Sequence, residues 1–154
     1  MSASQFVLSG LMLLAGIGIP VMAALNAGLG VRLESAMGAV VILCCVALSL
    51  ACLTLMFTAR PDVKALSTTP PVYFLAGFLF IFYIAGITFA APRIGLANAV
   101  FLVLLGQLIS AAVIDHFGLF GAPVSPVTQK RLLGIAFMVV GVYLARKEII
   151  PTLS

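Results

Sequence analysis

The placement of charge along this chain leaves few folds open to it. No Asp, Glu, Lys or Arg occurs from Met1 to Val31, from Ser35 to Ala59, from Ala65 to Pro92 or from Ile94 to Ile114. A fifth, shorter window runs from Leu132 to Ala145. A helix that crosses a bilayer needs about 20 mostly apolar residues, and four of these windows supply them. Hydrophobic residues make up 64% of the chain and charged ones 8%, too little polar surface to clothe a core in water. The same balance excludes a disordered chain. Eight Lys and Arg stand against four Asp and Glu, for a formal charge of +4. The basic residues are scattered singly or in pairs, so they form no stripe and nucleic acid is not a partner. The chain reads as an all-α integral membrane protein, one transmembrane domain over residues 1–154, with the lipid bilayer as its surroundings.

The windows predict five transmembrane helices, at about 5–26, 36–58, 71–91, 95–114 and 126–147. The first is unlike a secretory signal, since it lacks a positive leader and its apolar stretch is long. Helix three is expected to start at Thr69 as cap, with Pro70 and Pro71 in the first turn, and to stop at Pro92. Arg93 and Gly95 then form a short turn, which predicts a tight antiparallel hairpin of helices three and four. The fifth window is 14 residues long, about 21 Å of helix against about 30 Å of hydrocarbon. Ser125 and Pro126 are a plausible start for it, and Lys130, Arg131, Arg146 and Lys147 can snorkel to the two faces.

Helices in lipid associate through close packing of small residues. Gly16, Pro20 and Ala24 recur every four residues in helix one, Gly106 and Ser110 do so in helix four, and Gly134 and Gly141 share a face of helix five. Helix three carries half of the chain's aromatics. Phe74, Phe78, Phe82 and Phe89 form a stripe that is either a lipid-facing surface or a wall for a cationic or apolar solute. Tyr83 places a hydroxyl at mid-depth. Cys44, Cys45 and Cys52 lie inside helix two with no ligand spacing, so they read as small hydrophobes. No metal site and no cofactor is implied.

Polar groups at depth are candidate functional residues. Asn26 is expected at the end of helix one, Asn98 early in helix four and Gln107 near its middle. Each amide either bonds a neighbouring helix or lines a pocket. With Tyr83 and Ser110 they make the candidate substrate-binding set. Asp115 and His116 are expected where helix four leaves the membrane, as proton carriers, a cap or a salt-bridge partner. Arg93 is either an interfacial anchor or a cavity-mouth cation. These three and Glu34 are the candidate coupling or gating charges. No catalytic triad, metal cluster or phosphate loop is present, so the chain does not read as an enzyme.

The basic residues also set orientation. On the N-terminal side of five spans lie Arg60, Lys64, Lys130 and Arg131; on the other lie Arg32, Arg93, Arg146 and Lys147. This four-to-four tie predicts insertion both ways and an antiparallel homodimer with a two-fold axis in the membrane plane. Inverted repeats reach the same geometry within one chain and place a binding site near the midplane. In such a dimer, Asp115 and His116 share a face with Arg32, Glu34 and Arg93 of the second copy, and at least one of these charges is expected to pair across the subunits.

The run Pro20-Val21-Met22-Ala23-Ala24-Leu25-Asn26-Ala27-Gly28-Leu29-Gly30 resembles the end of helix one in the small YdcZ-type proteins. These are five-helix bacterial inner-membrane members of the drug/metabolite transporter superfamily. Ala91-Pro92-Arg93-Ile94-Gly95, Gly106-Gln107, the run Ile114 to Gly121, Pro123, Arg131 and Gly134 follow in the family's order and spacing. The resemblance spans nearly the whole chain, and Ile114 to Gly121 is its most specific part. It implies a small exporter-like fold with dual topology as a family trait, and it names no substrate. The small multidrug exporters of the same superfamily carry a glutamate within helix one, and this chain has none there. The reading is therefore an inner-membrane transporter of an unknown small molecule, bound between inverted subunits near Gln107, Asn26 and the helix-three aromatics. The rival is a structural or accessory membrane subunit. A channel would need a ring of charges or a filter segment, which the sequence lacks.

Overall fold

A computed structural model describes residues 3–58 and 61–145 of the chain. Among the described residues there are helices and turns but no strand. The chain falls into two compact units, Met1–Pro92 and Arg93–Ser154. The first holds α1 (Ala3–Arg32), α2 (Ala36–Met56) and most of α3 (Leu75–Ile94). The second holds α4 (Leu96–Phe117) and α5 (Gln129–Ala145). Among the described residues, four stretches are long and apolar enough to cross a membrane: Ser4–Arg32, Ala36–Met56, Pro71–Ile94 and Leu96–Phe117. α5, at 17 described residues, makes about 26 Å of helix.

α1 is longer than its expected bounds. It runs 30 residues, or about 45 Å, and passes through Pro20. Asn26 therefore lies inside the helix and not at its end. The helix closes with a left-handed residue: Glu34 has φ 50°, the Glu34 N–H donates to the Val31 carbonyl and the Ser35 N–H to the Gly30 carbonyl. This paired bonding is the Schellman arrangement, in which glycine is the usual left-handed residue. Ser35 then caps α2, its Oγ accepting the Gly38 N–H at 3.0 Å. One serine thus ends α1 and starts α2, so the two helices turn within three residues.

α3 departs from expectation at both ends. Thr69 does not cap it; its hydroxyl donates back to the Ala65 carbonyl. Pro70 precedes a single 3-10 turn, Pro71–Phe74, and the α-helix follows. Nor does Pro92 stop it, since the helix runs on to Ile94 and carries Arg93 in its last turn. Proline removes one donor and crowds the carbonyl four residues back, and the helix continues only two residues beyond it. Gly95 alone then separates α3 from α4, with φ 86°.

α4 continues to Phe117, so Asp115 and His116 lie in its last turn. Gly118 closes it at φ 60°, donating its N–H to the Ile114 carbonyl. Ser125 and Pro126 do not open α5. The Ser125 N–H is taken by the Asp115 carbonyl at 2.7 Å, and Thr128 caps the helix, its Oγ1 accepting the Arg131 N–H. The expected extension to 147 reaches residues outside those described, as do Arg60, Arg146 and Lys147 in the charge tally.

The core of the first unit is small. Ala23, Asn26, Ala27 and Gly30 of α1 and Ile84, Ile87, Thr88 and Ala91 of α3 each form a buried stripe at helical spacing, and α2 adds Ala39 and Val40. Gly16 and Ala24, expected to pack, are exposed. At Gly30 a Cβ would stand 3.3 Å from both the Ala36 backbone and the Thr88 methyl, so glycine permits the close approach. Elsewhere the surface is apolar, with Phe6, Leu14, Leu25, Leu48, Phe82 and Leu144 among many exposed large side chains. Such a surface is stable where hydrocarbon, not water, is the solvent.

Candidate functional site

The polar side chains within the spans divide into spent and unspent groups. Asn26 is spent. It is 5% exposed, and its Nδ2 donates to Thr88 Oγ1 at 2.7 Å. Thr88, 2% exposed, passes its own hydroxyl proton to the Ile84 carbonyl at 2.7 Å. The amide therefore ties α1 to α3 through a hydroxyl that satisfies itself within its own helix. Sequence reasoning missed Thr88; its signal was to be the one Ser or Thr in the apolar run Leu75–Ile94. Asn98, half-buried, donates from Nδ2 to the Ile94 carbonyl at 2.8 Å, across the start of α4.

Tyr83 and Gln107 are unspent. Tyr83 is half-buried and its hydroxyl oxygen is fully covered, yet it has no hydrogen-bond partner among the described residues. Gln107 lies at the centre of α4 and is exposed, as are Gly106 and Ser110. A carboxamide facing hydrocarbon leaves its donors and acceptor unpaired, an arrangement that a bilayer strongly disfavours. The Phe74, Phe78, Phe82 and Phe89 stripe is exposed along its length, as a lipid-facing surface would be.

The charged residues gather at the helix ends. Glu34 is the left-handed closing residue of α1 and is exposed. Arg93 occupies the last turn of α3, also exposed. Asp115 finds its partner within its own chain: its Oδ2 accepts from Arg131 Nη2 at 2.8 Å, with both side chains about a third exposed. His116, one residue on, accepts the Val127 N–H at Nδ1 (3.1 Å) and meets Phe117 edge to face at 4.7 Å. Together these bonds fold the segment after Gly118 back onto the end of α4. An apolar cavity of about 430 Å³ opens between α4 and α5 beside it, with His116 and Val127 in its lining. Cys44, Cys45 and Cys52 are free thiols. Among the described residues no three metal-ligating side chains cluster.

Apolar helices with paired charge at their ends and amides at depth define a multi-pass membrane protein. A family described as "Putative inner membrane exporter, YdcZ" matches residues 7–144. The chain belongs to this YdcZ family, which is of the drug/metabolite transporter type, and is a multi-pass inner-membrane protein. An exporter family is not an enzyme class. No curated protein and no solved structure matches the chain.

Proposed function

We propose that this protein exports a small molecule as an antiparallel homodimer, with the substrate held at mid-membrane against the Gly106–Gln107–Ser110 face of α4. The observation that carries this reading is Gln107, an exposed amide at the centre of a 22-residue helix that carries no charge before Asp115. A second copy in the opposite orientation would bring its own Gln107 to the same depth, since the middle of a helix keeps its level when the helix is inverted. The two amides would then bound one site that either copy alone leaves open. Ser110, one turn along, adds a hydroxyl, and the small Gly106 leaves room for the solute. Alternating access would come from rocking of one subunit against the other. Glu34, Arg93, Asp115 and His116, at the helix ends, would gate or couple the movement. Asn26 and Asn98 serve the fold in this scheme, because their amides are bonded within it.

The rival reading, a structural or accessory subunit, draws support from Asn26, whose amide is consumed in helix packing. Purified protein in liposomes, offered small metabolites and cations under imposed gradients, separates the two. Export requires that some solute move, and that Gln107→Ala, assembling like the parent, slow it at least tenfold. If no solute moves under any gradient, the transport reading falls and the scaffold reading stands.

A further inference from the structure

His116 is the single histidine of the chain, and its bonding dictates where a proton can enter. Nδ1 accepts the Val127 N–H at 3.1 Å. A ring nitrogen that accepts must carry a lone pair, so the neutral ring holds its proton on Nε2. A second proton can be taken only at Nδ1, and imidazolium has two donors and no acceptor. The proton and the Val127 N–H therefore compete for one lone pair. The ring is exposed at the end of a span, so water can deliver that proton.

Val127 belongs to the segment 118–128, which runs back over the end of α4. Three bonds fix it or its base: Ser125 N–H to the Asp115 carbonyl, Val127 N–H to His116, and Asp115 to Arg131. Only the second is made through the imidazole. The charged groups around the ring are Asp115 on α4 and Lys130 and Arg131 on α5; the segment between the helices contributes none. Asp115 and Arg131 are paired to each other at 2.8 Å. Val127 and His116 also share the lining of the 430 Å³ cavity with Ile109, Val113, Leu132 and Ile135. Release of Val127 loosens one wall of this open apolar groove, which Phe117 also lines.

We infer that His116 is a proton switch: a proton bound at Nδ1 unlatches Val127 and frees the segment 118–128 from the end of α4. The inference deepens the gating role proposed for His116 but rests on the geometry of the α4–α5 unit alone, so it stands or falls separately from transport.

Because the chain has one histidine, ¹⁵N labelling of imidazole reads this ring without assignment. In protein reconstituted in lipid nanodiscs at alkaline pH, Nδ1 should be bare and Nε2 protonated, as the Val127 bond requires. As the pH falls, Nδ1 should gain its proton while the Val127 amide resonance shifts with the same midpoint. Exchange of that amide, corrected for the intrinsic pH dependence, should rise about two- to tenfold, as expected for one lost hydrogen bond. His116→Asn offers a non-titrating acceptor and should hold the segment closed throughout. His116→Phe should leave it open throughout. A proton on Nδ1 at the high pH, a Val127 amide indifferent to the imidazole titration, or a transition that persists in His116→Asn would each overturn the switch.

Discussion

Two residues hold backbone conformations that their neighbours impose, and they respond oppositely to substitution. Glu34 closes α1 at φ 50°, a left-handed geometry that costs an L-residue with a Cβ about 1–2 kcal/mol. Nothing in its bonding uses the backbone of a glutamate in particular. Glu34→Gly should therefore raise stability by about 1 kcal/mol, read as a higher unfolding temperature in detergent. The same variant separates strain from chemistry: a transport defect in the stabilised protein would mean that the carboxylate works in gating. Gly118 is the converse. At φ 60° a Cβ there would stand 2.6 Å from the Val124 Cγ2, so conformation and space both demand glycine. Gly118→Ala should cost about 1–3 kcal/mol through overpacking and should disturb the clasp around His116. Unchanged thermal stability would mean that the segment 118–128 relaxes freely.

At the scale of the helices, the buried pair Asn26–Thr88 joins α1 to α3 by a side-chain hydrogen bond. Interhelical bonds of this kind in membranes are worth about 0.6–2 kcal/mol. Thr88→Val keeps shape but leaves the Asn26 amide unsatisfied, so it should lose that amount or slightly more, whereas Asn26→Leu with Thr88→Val should recover part of it. A double-mutant cycle by denaturant titration measures the difference, and strict additivity of the two single changes would show that the bond contributes nothing. Helix placement was legible in the sequence because a charge in hydrocarbon is so unfavourable that its absence marks a span residue by residue. Helix ends were less so. Termination at Glu34, the Thr128 cap and the run of α3 past Pro92 depend on local dihedral choices that several nearby residues could have supplied. The packing face of α1 was misread for another reason. Gly16, Pro20 and Ala24 and the observed Ala23, Asn26, Ala27 and Gly30 are both small-residue stripes, and a helix that is apolar all round has no polar face to say which one turns inward. The one polar member of the second stripe, Asn26, was the clue. Gln107 and Asp115 were recognisable as polar groups in need of partners, but only the fold gives Arg131 to Asp115 and leaves Gln107 exposed.

Orientation belongs to the whole molecule. The apolar exterior fixes that the helices lie in a bilayer but says nothing about which end points where, and the basic residues that would decide it are divided evenly: Arg60, Lys64, Lys130 and Arg131 against Arg32, Arg93, Arg146 and Lys147. With no excess on either side, the positive-inside preference supplies no net bias, and small changes in charge should tip the balance. Three lysines placed after Met1 would make the first side seven against four and hold it in the cytoplasm. Lys64→Gln with Lys130→Gln would make it two against four and do the reverse. Neither change touches the Asp115–Arg131 pair or the α4 face around Gln107. If the working unit is antiparallel, each biased form expressed alone should transport at least tenfold more slowly than the parent, and co-expression of the two should restore the rate. Reporters fused to the C-terminus should place the parent on both faces and each biased form on one. Full transport by either biased form alone would exclude an inverted pair as the active species, and a parent found on one face only would exclude dual insertion, leaving Gln107 to be satisfied by a parallel neighbour.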